Sequence, residues 1–159
     1  MALTKADIKS DYPIPAYNYR VSISDGDDTP AISFVDVSGL SMEYEAVTYK
    51  HGFSFVMGTS VIPGMQQPIR LSFHKGIMRG KSYLYDWIYK THHEPFFDKD
   101  KRDILIDLCD EAGEPLIRWK VRKAMPVKLE AAGFDANSSE VIIESMELIA
   151  HDLSVEYIT

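Results

Sequence analysis

Alternation of apolar and polar residues recurs in short segments of this chain, and it constrains the fold more than any other feature. In YNYRVSIS, Tyr17, Tyr19, Val21 and Ile23 would point to one side of an extended chain, and the residues between them to the other. The segment IRLSFHK, which begins at Ile69, alternates in the same way. Such segments follow one another closely, with breaks rich in turn-forming residues, as is typical of a sandwich or barrel. We therefore expect a mainly β fold, built as two packed β-sheets or a flattened β-barrel.

The second half of the chain predicts a hairpin and a basic strand. ILIDL and PLIRWKVR flank CDEAGE, so residues 108–116 should form the hairpin, with Gly113 in its turn. Arg118, Lys120 and Arg122 fall on one face of the following strand. Three like charges on one face need acidic residues on a paired strand or on another subunit. Nucleic-acid binding is the alternative, but the net charge of −7 disfavours it, so we expect no specific nucleic-acid binding.

One segment has helical periodicity. In GKSYLYDWIYKTHH, Leu84, Trp87, Ile88 and Thr91 follow the i, i+3, i+4, i+7 spacing of a single helical face. The pattern predicts a helix near residues 81–92. We expect this helix to flank the β-structure and to dock on it through Leu84, Trp87 and Ile88.

Length and composition favour one ordinary globular domain. The chain has 159 residues, of which 45% are apolar and 26% charged, so one domain spanning residues 1–159 is expected. Its one cysteine, Cys109, cannot form an internal disulfide. The start of the sequence has no apolar stretch of the signal-peptide kind, and no apolar run is long enough to cross a bilayer. We expect cytoplasmic synthesis without a signal peptide, and no membrane anchor.

Candidate catalytic and metal-binding residues do not form a recognisable site. His92 and His93 are adjacent, so on a helix they point roughly 100° apart rather than toward one metal ion. Asp27 and Asp28 lie in a turn-like stretch that lacks the spacing of a calcium loop. Cys109 ends a strand pattern and is better explained as a structural thiol. We expect no enzyme activity, no metal and no cofactor.

Two segments fit poorly into a compact domain. Residues 1–15 end in YPIP, which favours an extended N-terminal arm. Residues 50–65 contain three glycines and a proline but are unusually apolar for a surface loop. We expect this loop to protrude, and either to fold back on the core or to be covered by another chain. The candidate contact residues of the loop and its flank are Tyr49, Lys50, His51, Phe53, Phe55, Met57, Val61 and Ile62.

The end of the chain predicts a long strand. AGFDANSSE supplies a turn, and a run rich in β-branched and apolar residues follows as far as Tyr157. A strand at a sheet edge leaves backbone groups unpaired on one side, and a neighbouring subunit could pair with them. The residues expected to take part are Glu140, Ile142, Glu144 and Met146. The simpler alternative is a strand that is paired within the same subunit.

The order of these segments resembles a known family. The segments that carry the resemblance are YPIPAYNYRVSI, FVDVSGL, YEAVTYKHG, IRLSFHKGIMRG, LYDWI and ILIDLCDEAGEPLIRWKVRKAMPVKLEAAGFDANSSEVIIESMEL. Their order is similar to that of the T4-like phage tail tube proteins, and of their relatives in extracellular contractile injection systems of the antifeeding-prophage and Photorhabdus virulence-cassette kind. The resemblance extends from about Tyr12 to Tyr157 and departs most in the loop at residues 50–65.

The resemblance implies a structural subunit of an inner tube. Such a tube consists of stacked hexameric rings around a lumen for cargo, with a contractile sheath outside and a baseplate or hub at one end, in an extracellular particle or virion tail. The resemblance leaves open whether the chain is the main tube subunit or a ring that starts the tube. From its apolar residues and glycines, we expect the loop at residues 50–65 to contact the adjacent ring or a baseplate subunit, and the alternative is a hairpin folded on its own core. Two alternatives from other classes are a monomeric β-sandwich binding module and a small β-barrel enzyme.

Overall fold

The computed structural model describes residues 4, 6, 12–24, 30–50, 58–93 and 101–158, and these contain ten β-strands and one helix of three turns. The strands before the helix are β1 (Tyr19–Ile23), β2 (Ala31–Ile32), β3 (Asp36–Ser38), β4 (Tyr44–Lys50), β5 (Thr59–Gln66) and β6 (Ile69–Gly76). The helix is α1 (Tyr83–His93). The strands after it are β7 (Arg102–Cys109), β8 (Pro115–Ala131), β9 (Ile143–Ala150) and β10 (Asp152–Tyr157).

Eight of these strands form one antiparallel sheet, in which β8 is the shared member. The order is β2-β1-β7-β8-β9-β6-β3, with β10 also paired to β8, while β4 and β5 pair only with each other. The first part of β8 pairs with β7 and β10, and its last part pairs with β9. The strand is irregular where its partners change, because Lys123 has a φ of +53° and the register shifts between Pro126 and Lys128.

The alternating segments build one core. Inward residues of the β1-β7-β8-β10 half and of the β9-β6 half join a single buried cluster, together with two residues of α1. Its main members are Val21, Ile23, Ile104, Ile106 and Val121 from the first half, Ile69, Leu71, Phe73, Met146 and Leu148 from the second, and Leu84 and Trp87 from α1. The predicted mainly β fold with one flanking helix is confirmed, and strands make up 55% of the residues that the structure describes. The strands that the structure describes do not close into a barrel.

The helix docks as predicted. Leu84 and Trp87 are buried, and Ile88 packs against the core from its edge. The Arg102 guanidinium of β7 lies 5.1 Å from the centre of the Trp87 ring. At the end of the helix, the His92 side chain bonds the carbonyl of Pro126 in β8, with Nε2 and O 2.8 Å apart. These contacts fix α1 against the sheet at both ends.

The β7–β8 turn also confirms its prediction. The N–H of Asp110 donates to the carbonyl of Glu114 at 2.9 Å, and Gly113 has a φ of +85°, a left-handed conformation that glycine adopts without strain. The Asp110 carboxylate accepts the N–H groups of Ala112 and Glu114, both at 2.9 Å. The hairpin therefore brings the basic residues of β8 alongside β7.

The prediction of a terminal strand with an open edge is wrong for its first part. The run divides at His151 into β9 and β10, and β9 pairs with β6 on one side and β8 on the other. Glu144 forms an ion pair with buried Lys75 at 3.2 Å, and Met146 is completely buried. Glu140 and Ile142 lie in the loop before β9. The backbone of β9 is thus paired within the chain, as in the simpler alternative.

Candidate assembly surfaces

The β4–β5 hairpin exposes apolar side chains on both of its faces. Every residue of β4 is exposed, and Val47 lies opposite Ile62 in the hairpin register. The exposed apolar residues of the two strands are Tyr44, Val47, Tyr49, Val61, Ile62 and Met65, of which Val61 and Met65 are 71% and 79% exposed. A two-stranded ribbon with no covered face has little to stabilise it alone. This surface is therefore suited to being covered by another protein chain.

The local sequence explains why the hairpin forms at these residues. A β-carbon at Gly64 would lie 2.3 Å from the carbonyl oxygen of Glu45 on the opposite strand, so only glycine fits there. The register shifts between Tyr44 and Ala46 at the same place, as at a β-bulge. Pro63 is tolerated because β5 pairs with β4 alone. The glycine and proline that suggested a loop instead shape a hairpin strand.

Four of the eight predicted contact residues lie in strands β4 and β5, and the other four lie outside the residues that the structure describes. Tyr49 and Lys50 end β4, and Val61 and Ile62 lie in β5, all of them exposed. His51, Phe53, Phe55 and Met57 lie outside the described residues. The sequence interpretation missed Tyr44, Val47 and Met65. A signal for Tyr44 and Val47 was present in MEYEAVTY, where the two residues fall on opposite faces of one strand.

The outer edge of β10 is open in the part of the chain that the structure describes. Here β10 pairs with β8 only, with Tyr157 opposite Ile117. The N–H of Ile158 donates to the carbonyl of Leu116 at 2.9 Å. Because bonding alternates along an antiparallel pair, the N–H groups of Leu153, Val155 and Tyr157 point away from β8. These groups form a second surface, which can add a strand from another chain.

A row of alternating charges crosses the outer face of the sheet. Arg20, Asp107, Arg118 and Glu156 lie side by side on β1, β7, β8 and β10. Arg118 holds both carboxylate oxygens of Asp107, at 2.7 and 3.0 Å, and Arg20 approaches to 3.6 Å. The hydrogen bond to Asp107 is the main cause that raises the pKa of Arg118. The prediction that the basic face of β8 needs acidic partners is confirmed for Arg118 and for Arg122, which lies 3.8 Å from Asp152.

Polar groups near the edge strand β3 are likewise paired. The hydroxyl of Tyr19 donates to the carbonyl of Phe34 at 2.7 Å, and burial, followed by the negative charge of Asp36, raises the pKa of Tyr19. Asp36 lies 2.6 Å from His74 across the β3–β6 pair. Elsewhere, a hydrogen bond to Glu130 raises the pKa of the exposed Lys128.

Adjacent His92 and His93 have separate structural roles. His92 bonds the carbonyl of Pro126, and His93 bonds the carbonyl of Tyr89 and stacks on its ring. Among the described residues, no group of three His, Cys, Asp or Glu side chains has the geometry to hold a metal ion. In the same part of the chain, no helix has the length and apolarity needed to span a membrane.

Comparison with known proteins identifies the family. Residues 15–154 match the family described as T4-like virus tail tube protein gp19. A chain of the extended PVC sheath–tube complex, from an extracellular contractile injection system, is 32% identical over 99% of this chain and 100% of its own, with a TM-score of 0.83. A chain from the structure of the anti-feeding prophage cap, the tube-terminating cap, is 32% identical over 99% of each chain, with a TM-score of 0.80.

A chain from the structure of the PVC sheath/tube terminator is also similar, with 34% identity over 92% of this chain and 98% of its own and a TM-score of 0.79. No curated protein sequence matches the chain. The match to the gp19 family covers most of the chain, and the likeness in fold extends over nearly all of it. This chain therefore belongs to the T4-like virus tail tube protein family and is a tail tube structural protein.

Proposed function

We propose that this tail tube protein builds the inner tube of an extracellular contractile injection system, as hexameric rings stacked around a lumen through which cargo passes. The single observation that carries the proposal is the β4–β5 hairpin, whose apolar residues are exposed on both faces. Exposed apolar area costs roughly 25 cal/mol per Å², so a contact that covers this hairpin is favourable. Membership of the tail tube family supports another ring as the partner that covers it.

Stacking is the role proposed for the hairpin. Val61 and Met65 are the most exposed apolar residues of β5. Tyr49 and Lys50 are the last two residues of β4, and both are exposed. Contiguous apolar surface of this kind, in a chain that otherwise has one well-buried core, marks a site of protein contact. The predicted stacking residues Phe53, Phe55 and Met57 remain part of this proposal, as does His51.

Ring closure is proposed to use the open edge of β10. A subunit in a ring meets its neighbours through two different surfaces, and six such contacts close the ring. The outward N–H groups of Leu153, Val155 and Tyr157 offer the neighbour a β-edge, which pairing would remove. The other edges of the described sheet are β2 and β3, which lie at its two opposite ends.

The partners proposed for this tube are a sheath around it, a baseplate or hub at one end, and cargo within it. Support for the sheath comes from the similar chain in the PVC sheath–tube complex. Identity is 32% and 34% with the sheath–tube and terminator chains but 20% with an anti-feeding prophage baseplate chain. We therefore favour the body of the tube over its initiating ring.

The test is electron microscopy of the purified protein, with its mass measured by size exclusion and light scattering. Rings or tubes, with a smallest species of about six subunits, are expected for the unmodified chain. A paired variant, Val61→Ser with Met65→Ser, should still form rings but not stack them. The matched control is Tyr85→Ser with Tyr89→Ser, which removes two exposed apolar side chains from α1 instead. A chain that stays monomeric at high concentration would contradict the proposal and favour a monomeric binding module.

A further inference from the structure

Two apolar surfaces lie at opposite ends of β8, and neither belongs to the β4–β5 hairpin. The first surface, here called the knob, consists of Phe134 and Val141 in the β8–β9 loop, with exposed Ile77 bonded to the backbone of the neighbouring Ile142. Phe134 is 90% exposed and Val141 77% exposed, the highest values among the large apolar residues of this loop. Phenylalanine in a monomeric surface loop is rarely this accessible, so a contact that covers the knob is to be expected.

The loop that carries the knob is held in place by its own hydrogen bonds. The N–H groups of Ala132 and Ile77 donate to the carbonyls of Ile143 and Ile142, at 2.9 and 3.1 Å. The Asp135 carboxylate accepts the N–H of Asn137 at 3.0 Å. With its backbone tied down in this way, the loop presents the Phe134 ring to solvent in a set position rather than folding it inward. The knob is therefore preformed for a contact.

The second surface is a groove at the start of β8. It consists of two concave volumes of about 640 and 650 Å³ that share Ile14 and Tyr17 between them. Ile106, Leu108 and Trp119 lie along one of these volumes, which is therefore mostly apolar. The other is bounded by the N-terminal arm and by Cys109 and Leu116. Tyr17, on the rim of both, is 82% exposed.

The knob cannot fill the groove of its own chain. Trp119 lies near the start of β8, and Phe134 lies three residues beyond its end at Ala131. At about 3.3 Å per residue, the intervening strand has a path of roughly 50 Å. The strand is paired along its length with β7, β9 and β10, so it does not fold back on itself. Phe134 is 90% exposed and lines neither volume of the groove, so in this structure the two surfaces can meet only if they come from different molecules.

We propose that the knob of one copy of this chain seats in the groove of a second copy, as a head-to-tail contact between unlike surfaces. This inference rests on the proposed tube assembly and names one of its joints. A burial of roughly 150–250 Å² by a phenylalanine is far below the roughly 800 Å² per partner of a stable isolated complex. The contact is therefore too small to hold an independent partner. It suits copies that other contacts already hold, and a head-to-tail contact repeats in every copy.

Cross-linking tests this pairing directly. In a Cys109→Ala background, Ala16→Cys places a thiol at the groove and Ala136→Cys places one in the exposed loop beside Phe134, leaving Phe134 and Tyr17 intact. Assembled particles of the double variant, treated with a short bismaleimide, should give a ladder of multimers on a denaturing gel. Each single variant should give none. The matched control pairs Ala16→Cys with Lys90→Cys on the exposed face of α1, and no ladder is expected from it.

A side-chain variant adds an independent readout. Phe134→Ser should leave the thermal midpoint of the subunit unchanged, because the ring is exposed, and should reduce the ladder of the double variant at least fivefold. Tubes that form normally but give no ladder would overturn the head-to-tail contact and leave the tube function intact. A dimer from Ala136→Cys alone would also overturn it, since like surfaces would then meet. A wild-type chain that forms no assembly at all would overturn both proposals.

Discussion

Trp87 is the residue on which the attachment of α1 depends. It is completely buried, and Arg102 of β7 stacks over its ring. Trp87→Ala should lower the free energy of unfolding by about 3–5 kcal/mol, because a large cavity remains where the ring was. Denaturant unfolding of the unassembled subunit measures the loss. Tyr85→Ala, on the exposed side of the same helix, is the control and should change stability by less than about 0.5 kcal/mol.

Asp107 is a second residue with a large expected effect. Its carboxylate is 6% exposed and accepts two hydrogen bonds from Arg118. Asp107→Asn should cost about 1.5–3 kcal/mol, the usual value of hydrogen bonds to a charged group. Asp152→Asn removes the same charge from an exposed pair with Arg122 and should cost at most about 1 kcal/mol. Denaturant unfolding measures the free energy of unfolding of both variants. Equal losses would show that the burial of Asp107 and its two hydrogen bonds add no stability beyond that of an exposed ion pair.

At the scale of single elements, β8 contains one strained position. Lys123 has a φ of +53°, which costs a side-chain-bearing residue roughly 1–2 kcal/mol. Lys123→Gly relieves that strain, so it should leave the subunit as stable or up to about 1 kcal/mol more stable. Lys120→Gly, in the regularly paired part of β8, should instead cost about 0.5–1 kcal/mol. A destabilised Lys123→Gly variant in denaturant or thermal unfolding would contradict this account.

The elements also show how far the sequence was informative. Alternation identified the inward face of β1 and β6, and the i, i+3, i+4 pattern identified α1, because both patterns record which side of an element is buried. The partners of β9 could not be read in this way, since alternation is the same for an edge strand and a central one. Pro126 similarly concealed that β8 is one strand, because proline is usually confined to a strand end, an edge strand or a bulge. The left-handed conformation of Lys123 has no signal in the sequence, and its N–H donates to the Asp103 carboxylate at 3.0 Å.

The candidate surfaces could be predicted from the sequence only where the local composition was unusual. Apolar residues beside glycines at residues 50–65 identified the hairpin as unusual before its strands were known. The open edge of β10 and the exposure of Phe134 depend on which strands are neighbours and where a loop points. Those properties arise from long-range pairing, for which a single sequence carries no local signal.

At the scale of the whole molecule, the open edge of β10 makes a prediction about assembly. Val155→Pro removes an N–H that points away from β8, so the subunit should stay folded while ring formation falls sharply. Val155→Ala controls for the side chain and should form rings. Ser154→Pro removes a bond to β8 itself and should destabilise the subunit. Circular dichroism checks folding, and size exclusion with electron microscopy checks assembly. Normal rings from Val155→Pro would show that β10 is not the joint.

The pairing of early strands with late ones has a consequence for biosynthesis. Tyr19 of β1 pairs with Leu108 of β7, and Phe73 of β6 pairs with Met146 of β9. At the usual 5–20 residues per second of translation, β1 waits roughly 4–18 s for its partner to leave the ribosome. The nascent chain therefore has no completed eight-stranded sheet, and no open edge of β10, until its last strands emerge. If the subunit assembles as proposed, polysome-bound fragments lack the β10 edge, and we expect only finished chains to close a ring.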